Sequence, residues 1–233
     1  MTRVAIIPAR GGSKRVPRKN IRDFHGLPMI AHSIRVALAS GLFQRVIVST
    51  DDAEIAQIAR EYGAETPFMR PAELSGDHTG TMEVIQHAIA QLDASFAFAC
   101  CIYATAPFLQ ASYLQQGLQL IEANPDKSYA FSVTTFGFPV QRALRVTQDG
   151  SLDAMYPQFR FVRSQDLDDA WHDAGQFYWG RTEAWRRGDT IFSPVSLPVV
   201  LPRHLVQDID TPEDWRRAEG MYAALTAAGE LAS

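Results

Sequence analysis

Two short segments carry residue types that could do phosphate chemistry. Residues 6–20 read IIPARGGSKRVPRKN. An apolar run there feeds Gly11-Gly12-Ser13. Such a loop lets backbone N–H groups approach an anion closely, because glycine has no side chain and accepts positive φ. Arg10, Lys14, Arg18 and Lys19 stand in the same segment. They could neutralise a triphosphate, and arginine can grip it with two parallel bonds. The glycines are adjacent, so the segment is neither a GxxxxGK[ST] loop nor a GxGxxG turn. From Thr2 to Arg22 there are seven basic residues (Arg3, Arg10, Lys14, Arg15, Arg18, Lys19, Arg22) and no acidic one, on a chain of net charge -4. That asymmetry points to an anionic ligand at one place and away from a nucleic-acid-binding face.

The second segment is QDIDTPED, residues 207–214. On extended backbone Asp208 and Asp210 share a face, since the side-chain period is two. Two convergent carboxylates suit Mg²⁺, which takes hard oxygen ligands together with phosphate oxygens. The metal would screen carboxylate–triphosphate repulsion, polarise the α-phosphate and stabilise departing pyrophosphate. Asp210 reads equally as a cap for the helix that follows, with Glu213 and Asp214 suited to that helix's dipole.

The elements that must position these residues alternate along the chain. Residues 3–8, 45–49, 96–103 and 129–134 are apolar runs of strand length. Between them, residues 28–40, 51–62, 81–92 and 112–123 have helical spacing of apolar positions, with Gly41 and Gly63 as stops. Continuous apolar strands alternating with helices predict a mainly parallel sheet covered on both faces. Ligands in such sheets bind beyond the carboxyl ends of the strands, so the loops after Pro8, Ser49 and Tyr103 belong to one candidate site. The alternation breaks over residues 136–172, which hold Asp149-Gly150, a hairpin turn signal, and an aromatic-basic run, Phe159-Arg160-Phe161-Val162-Arg163. We read an inserted β-arm within a single domain of residues 1–233, suited to dimerisation or to closing a pocket. Strands resume at 175–179 and 197–201. A last helix, 211–224, opens with Thr211 as cap and Pro212 in its first turn.

The composition, 46% hydrophobic and 21% charged, is that of a globular protein. The two cysteines, Cys100 and Cys101, are adjacent in an apolar run and fit neither a disulfide framework nor a zinc site. No signal-peptide pattern and no membrane-length apolar run is visible, so a cytoplasmic protein without a membrane partner is expected.

In this order, IPARGGSKRVPRKN, VIVSTDD (residues 46–52), RPAEL (70–74) and DIDTPED (208–214) resemble the acylneuraminate cytidylyltransferase family, over nearly the whole chain. The resemblance implies a Rossmann-like three-layer α/β/α sandwich with an inserted dimerisation arm, and a homodimer. It implies transfer of CMP from CTP to the anomeric hydroxyl of an acidic nine-carbon sugar, with Mg²⁺ as cofactor. By position, nucleotide contacts fall on Ala9, Arg10, Gly11, Gly12, Ser13, Lys19, Asn20, Arg70 and Thr79. Catalytic roles fall on Arg10, Lys19, Asp208 and Asp210, the last two as metal ligands. Where sialic-acid members read LQPTSPLR, this chain has IYATAPFL, with Tyr103 for the glutamine and Leu109 for the arginine. Where they carry NGAIY, it has AGQFY. These segments look like the pseudaminic-acid branch, with CMP-N-acetylneuraminate or CMP-legionaminate synthesis as the alternative. Sugar contacts are expected from Tyr103, Thr105, Gln176 and Tyr178, because strand alternation sets Gln176 and Tyr178 on one face and Phe177 and Trp179 on the other.

Overall fold

The computed structural model describes residues 1–231. In chain order the principal elements are β1 (Arg3–Pro8), β2 (Asp23–Phe24), β3 (Leu27–Pro28), α1 (Met29–Ala39), β4 (Arg45–Ser49), α2 (Ala53–Glu61), α3 (Thr81–Ala90), β5 (Phe98–Ile102), α4 (Ala111–Ala123) and β6 (Tyr129–Thr135). They continue with β7 (Leu144–Val146), β8 (Leu152–Ala154), β9 (Trp171–Arg181), α5 (Thr182–Arg187), β10 (Ser196–Val200) and α6 (Pro212–Ala227). One six-stranded sheet has the order β10-β6-β9-β5-β1-β4.

The apolar runs are buried on both faces, and strand alternation divides them between two cores. Ala5 and Ile7 of β1 pack with Ile30 and Ile34 of α1, Ile55 of α2 and Leu114 and Leu118 of α4. Val4 and Ile6 of the same strand pack with Ile85 and Ile89 of α3 and Trp185 of α5. Cys100 and Cys101 go one to each core, both as free thiols that burial pushes well above the usual thiol range. The sheet is therefore the middle of three layers, as the alternation predicts. A third cluster joins α6, through Trp215, Ala218 and Leu225, to Phe24 of the β2–β3 hairpin, Met29 and Phe108.

The sheet is mainly parallel: β1 pairs in parallel with β4 and β5, and β10 with β6. Strand β9 runs antiparallel to both of its neighbours, β5 and β6. This direction follows from the chain path. β6 ends at the carboxyl rim, the excursion of residues 136–170 stays on that side, and the chain must come back down. An apolar run carries no signal for direction, so the sequence leaves this open. β9 also begins at Trp171, so the last two residues of the expected arm belong to the sheet. The arm contains the hairpin β7–β8, closed at Gly150 with φ 83°. The hairpin β2–β3 and the short helix α5 have no counterpart in the sequence reading. Among the described residues no helix is long and apolar enough to cross a membrane.

Candidate active site

A cleft of about 280 Å³ opens beyond the carboxyl ends of β1 and β5. Among its lining residues are Arg10, Ser13, Lys19, Asn20, Arg70, Thr79, Tyr103, Thr105 and Asp210, all expected at the site. Lys14, Arg15, Gly76, Asp77 and Thr81 line it as well. β1 delivers the cationic loop at its end, and the segment between α2 and α3 and the loop after β5 close the sides.

The cations are held in place by carboxylates. Arg10 donates to Asp77 Oδ1 at 2.9 Å and to the Gly76 carbonyl at 3.1 Å. Lys14 Nζ lies 2.5 Å from Asp77 Oδ2. Arg15 pairs with Asp210 Oδ2 at 2.7 Å, and Lys19 with Asp210 Oδ1 at 3.2 Å. Lys19 also donates to the Ile209 carbonyl at 2.5 Å, which binds the cationic loop to the QDID segment. Arg18, at φ 56°, turns away from the others and pairs with Asp52 and Glu54. The Arg18 guanidinium holds the Asp52 carboxyl below its usual range, helped by the first-turn N–H groups of α2, which Asp52 caps. Arg70 is only 5% exposed; Asp51 Oδ1 faces it at 3.6 Å and Ser75 Oγ accepts from its Nε at 3.2 Å.

The glycine loop departs from expectation. Gly11 and Gly12 are not among the residues with positive φ, and neither they nor Ala9 line the cleft. The Gly11 N–H donates to Asp51 Oδ1 at 3.0 Å, and a Cβ at Gly11 would stand 2.6 Å from Asp52 Oδ2. Glycine is required there by the approach of a carboxylate to the backbone. Ala9 is buried, its N–H bonded to the Ser49 carbonyl at 2.9 Å. Asn20 bonds the Arg10 carbonyl at 2.9 Å and so fastens the loop's two ends together.

The QDID segment follows a 3-10 turn (Arg203–Leu205) and is not a strand, yet it alternates: Ile209 is fully buried, while Asp208 is exposed and Asp210 half-buried. Asp210 does not cap α6. Thr211 does, in a capping box with Asp214, and Asp214 Oδ2 also accepts the Asp210 N–H at 3.2 Å. The Asp210 side chain is thus left to Lys19 and Arg15. Asp208 does not line the cleft itself; crowding by protein, and then the charge of Asp210, raise its carboxyl above the usual range. Two carboxylates that repel each other at the rim of a cationic cleft are a donor set that fits Mg²⁺. Among the described residues no third His, Cys, Asp or Glu completes a metal cluster, so phosphate oxygens and water would have to fill the remaining positions.

Of the four residues expected on the sugar side, Tyr103 and Thr105 line the cleft, and Gln176 and Tyr178 do not. Gln176 is buried away from the cleft: its Nε2 donates to the Leu205 carbonyl at 2.5 Å, tethering the turn that leads to Asp208. Tyr178 is buried behind Tyr103, stacks on Phe131 and donates to Asp173. The alternation holds for Tyr178, which faces the core opposite Phe177 and Trp179. Burial exceeds what alternation alone suggests because β9 is central, with helices over both faces. Tyr103 does face the cleft, its hydroxyl 3.1 Å from Thr81 Oγ1. Its ring is set by Tyr178 behind it and by Gly175, whose φ of 62° bends the β9 backbone beside Tyr103. Leu109 lies in the core and borders a separate cavity with His32 and Tyr222, remote from the cationic loop. The sequence reading missed Asp77, Thr81 and Asp173, and gave Arg15 no role beyond its place in the basic cluster. Asp77 had one signal, as an acidic residue in the 75–81 segment that follows RPAEL.

Comparison with known proteins agrees with this fold. The family described as Cytidylyltransferase matches residues 4–156. The chain is 45% identical to the pseudaminic acid cytidylyltransferase of Campylobacter jejuni, over 95% of this chain and 97% of that one. It is 28% identical to the CMP-N,N'-diacetyllegionaminic acid synthase of Legionella pneumophila, over 93% and 94%. In fold it is similar to a CMP:2-keto-3-deoxy-manno-octonic acid synthetase solved with CTP, with TM-score 0.71, 18% identity, and coverage of 96% and 99%. With cations, Asp210 and Tyr103 lining one cleft at the sheet rim, and with a relative this similar over nearly its full length, the chain belongs to the cytidylyltransferase family.

Proposed function

We propose that the protein transfers CMP from CTP to the anomeric hydroxyl of pseudaminic acid and releases pyrophosphate. The carrying observation is the 45% identity, over 95% of the chain, to an enzyme named for that reaction. In the reaction the sugar's anomeric oxygen bonds to the α-phosphorus as the bond to the β-phosphate oxygen breaks. Arg10, Lys14 and Lys19 line the cleft where the triphosphate would lie, and charge building on the leaving pyrophosphate strengthens their hold in the transition state. Buried Arg70, steadied by Asp51, gives the wall a fixed cation that needs no reorganisation on binding. Asp208 and Asp210 would hold Mg²⁺, which supplies charge neutralisation between carboxylates and phosphates. Tyr103 and Thr105 offer an aromatic face and a hydroxyl to the sugar.

We also propose that the protein is a cytoplasmic homodimer joined through the arm. The support is apolar surface: Phe138 and Phe161 are 88% and 93% exposed, and Leu144, Val146 and Leu152 of the hairpin are exposed too.

The test of substrate is incubation with CTP, Mg²⁺ and a panel of nonulosonic acids, with pyrophosphate release measured. Pseudaminic acid should exceed N-acetylneuraminic acid by about a hundredfold in kcat/KM, since two hydroxyls left without partners each cost about 1–3 kcal/mol. Preference for legionaminic or N-acetylneuraminic acid would instead assign the alternative sugar.

A further inference from the structure

We propose that Asp77 is an internal counter-anion of the triphosphate site, which the nucleotide must displace and which thereby sets affinity for CTP and for the pyrophosphate product. The inference rests on the cytidylyl-transfer reading and adds a residue to it. The Asp77 carboxylate spans the two cations, one oxygen 2.9 Å from Arg10 and the other 2.5 Å from Lys14. All three residues line the same cleft. A carboxylate with an oxygen on each of two phosphate-binding side chains occupies the bonding directions that phosphate oxygens would use. Lys14 first, then Arg10, holds the Asp77 carboxyl below its usual range, in keeping with an ionised group in that place.

The loop that carries Asp77 is built to let go. Its near end is anchored, with Ser75 bonded to Arg70 and to the Pro71 carbonyl. Beyond that point its internal bonds are long: Thr79 N–H to the Gly76 carbonyl at 3.4 Å, and the Thr79 hydroxyl to the Glu73 carbonyl at 3.5 Å. The contacts that Arg10 and Lys14 make with Gly76 and Asp77 tie this stretch to the cationic loop. Gly76, Asp77 and His78 are exposed, so exchanging the two ion pairs for phosphate contacts disturbs no core packing. The ligand must break both pairs and then lie beside the released carboxylate. Both effects oppose binding, and the second grows with the charge that the ligand places against Arg10 and Lys14. With the carboxylate able to return, pyrophosphate leaves more easily than it would from an unopposed cationic cleft.

The test compares wild type, Asp77→Asn and Asp77→Glu in one Mg²⁺ buffer, by titration calorimetry with CTP and with inorganic pyrophosphate, and by steady-state kinetics. Two exposed ion pairs, each worth a few-fold, set the scale. The Asn variant should bind pyrophosphate about five- to tenfold more tightly, with a lower KM for CTP and stronger product inhibition. The gain should shrink as salt rises. The Glu variant should restore wild-type affinities. Unchanged or weaker binding of both ligands in the Asn variant would overturn the proposal, because Asp77 would then be a structural tie or a helper of the bound nucleotide. Failure of the cytidylyl reading has a different signature: wild type itself would neither bind CTP nor release pyrophosphate.

Discussion

Asp208 and Asp210 have the same side chain, two positions apart, and the structure treats them differently. Asp210 carries two cations, Arg15 and Lys19. Asp208 has crowding and a neighbouring negative charge, and its carboxyl is raised by both. A carboxyl raised in the folded state costs stability as pH rises from its unfolded value, near 4, through its folded value; the cost is complete above that and absent below. Asp208→Asn should therefore melt higher than wild type at neutral pH and equal to it below about pH 4, while turnover collapses. Thermal melts across pH, set beside pyrophosphate release, check both halves. Turnover near wild type would remove Asp208 from the site, and a lower melting temperature at pH 7 would contradict the electrostatic account. Binding sites commonly hold like charges at such a cost, because a ligand cation or proton offsets it only when present.

Among the elements, α6 and the turn before it decide where those carboxylates stand. Thr211 and Asp214 satisfy the first turn of α6 reciprocally, Pro212 begins it, and Trp215 buries against Phe24. Upstream, Gln176 of β9 holds Leu205. The QDID segment is thus stretched between a capped helix and a tether to the sheet. Thr211→Ala should lower stability by about 1 kcal/mol, the usual value of a lost cap. Asp210→Asn should cost little stability, since its side chain does not serve α6. Urea melts of the two variants separate the cases; a loss as large in Asp210→Asn as in Thr211→Ala would mean that Asp210 supports the helix after all.

For the molecule as a whole, the arm is the part whose own packing leaves most unsatisfied. Its hairpin has three residue pairs, too few for a stable ribbon alone, and leaves its apolar side chains in water. A second copy would cover them, and a stable pairing needs about 1,200–2,000 Å² of buried surface. Sedimentation at micromolar concentration should find a dimer. Placing charges at the exposed face, with Val146→Asp and Phe161→Asp together, should give a folded monomer. A monomeric wild type would refute the arm's role.

What the sequence determined by itself was local. Apolar periods of two and 3.6 located β1, β4, β5, β6 and the four helices between Met29 and Ala123 to within about two residues, because burial on one or both faces is written into neighbouring positions. The residue types at 10–20 and 208–210 were enough to propose phosphate and metal chemistry. Contacts across the chain were decided only by the tertiary structure. Lys19 meets Asp210 across 191 positions and Lys14 meets Asp77 across 63. No local preference selects those partners; the path of the chain over the sheet does. The direction of β9 belongs with them, since it depends on which rim the arm returns from. So does the burial of Gln176 and Tyr178, because alternation assigns a side chain to a face, and only the layers packed on that face decide whether it meets ligand or core.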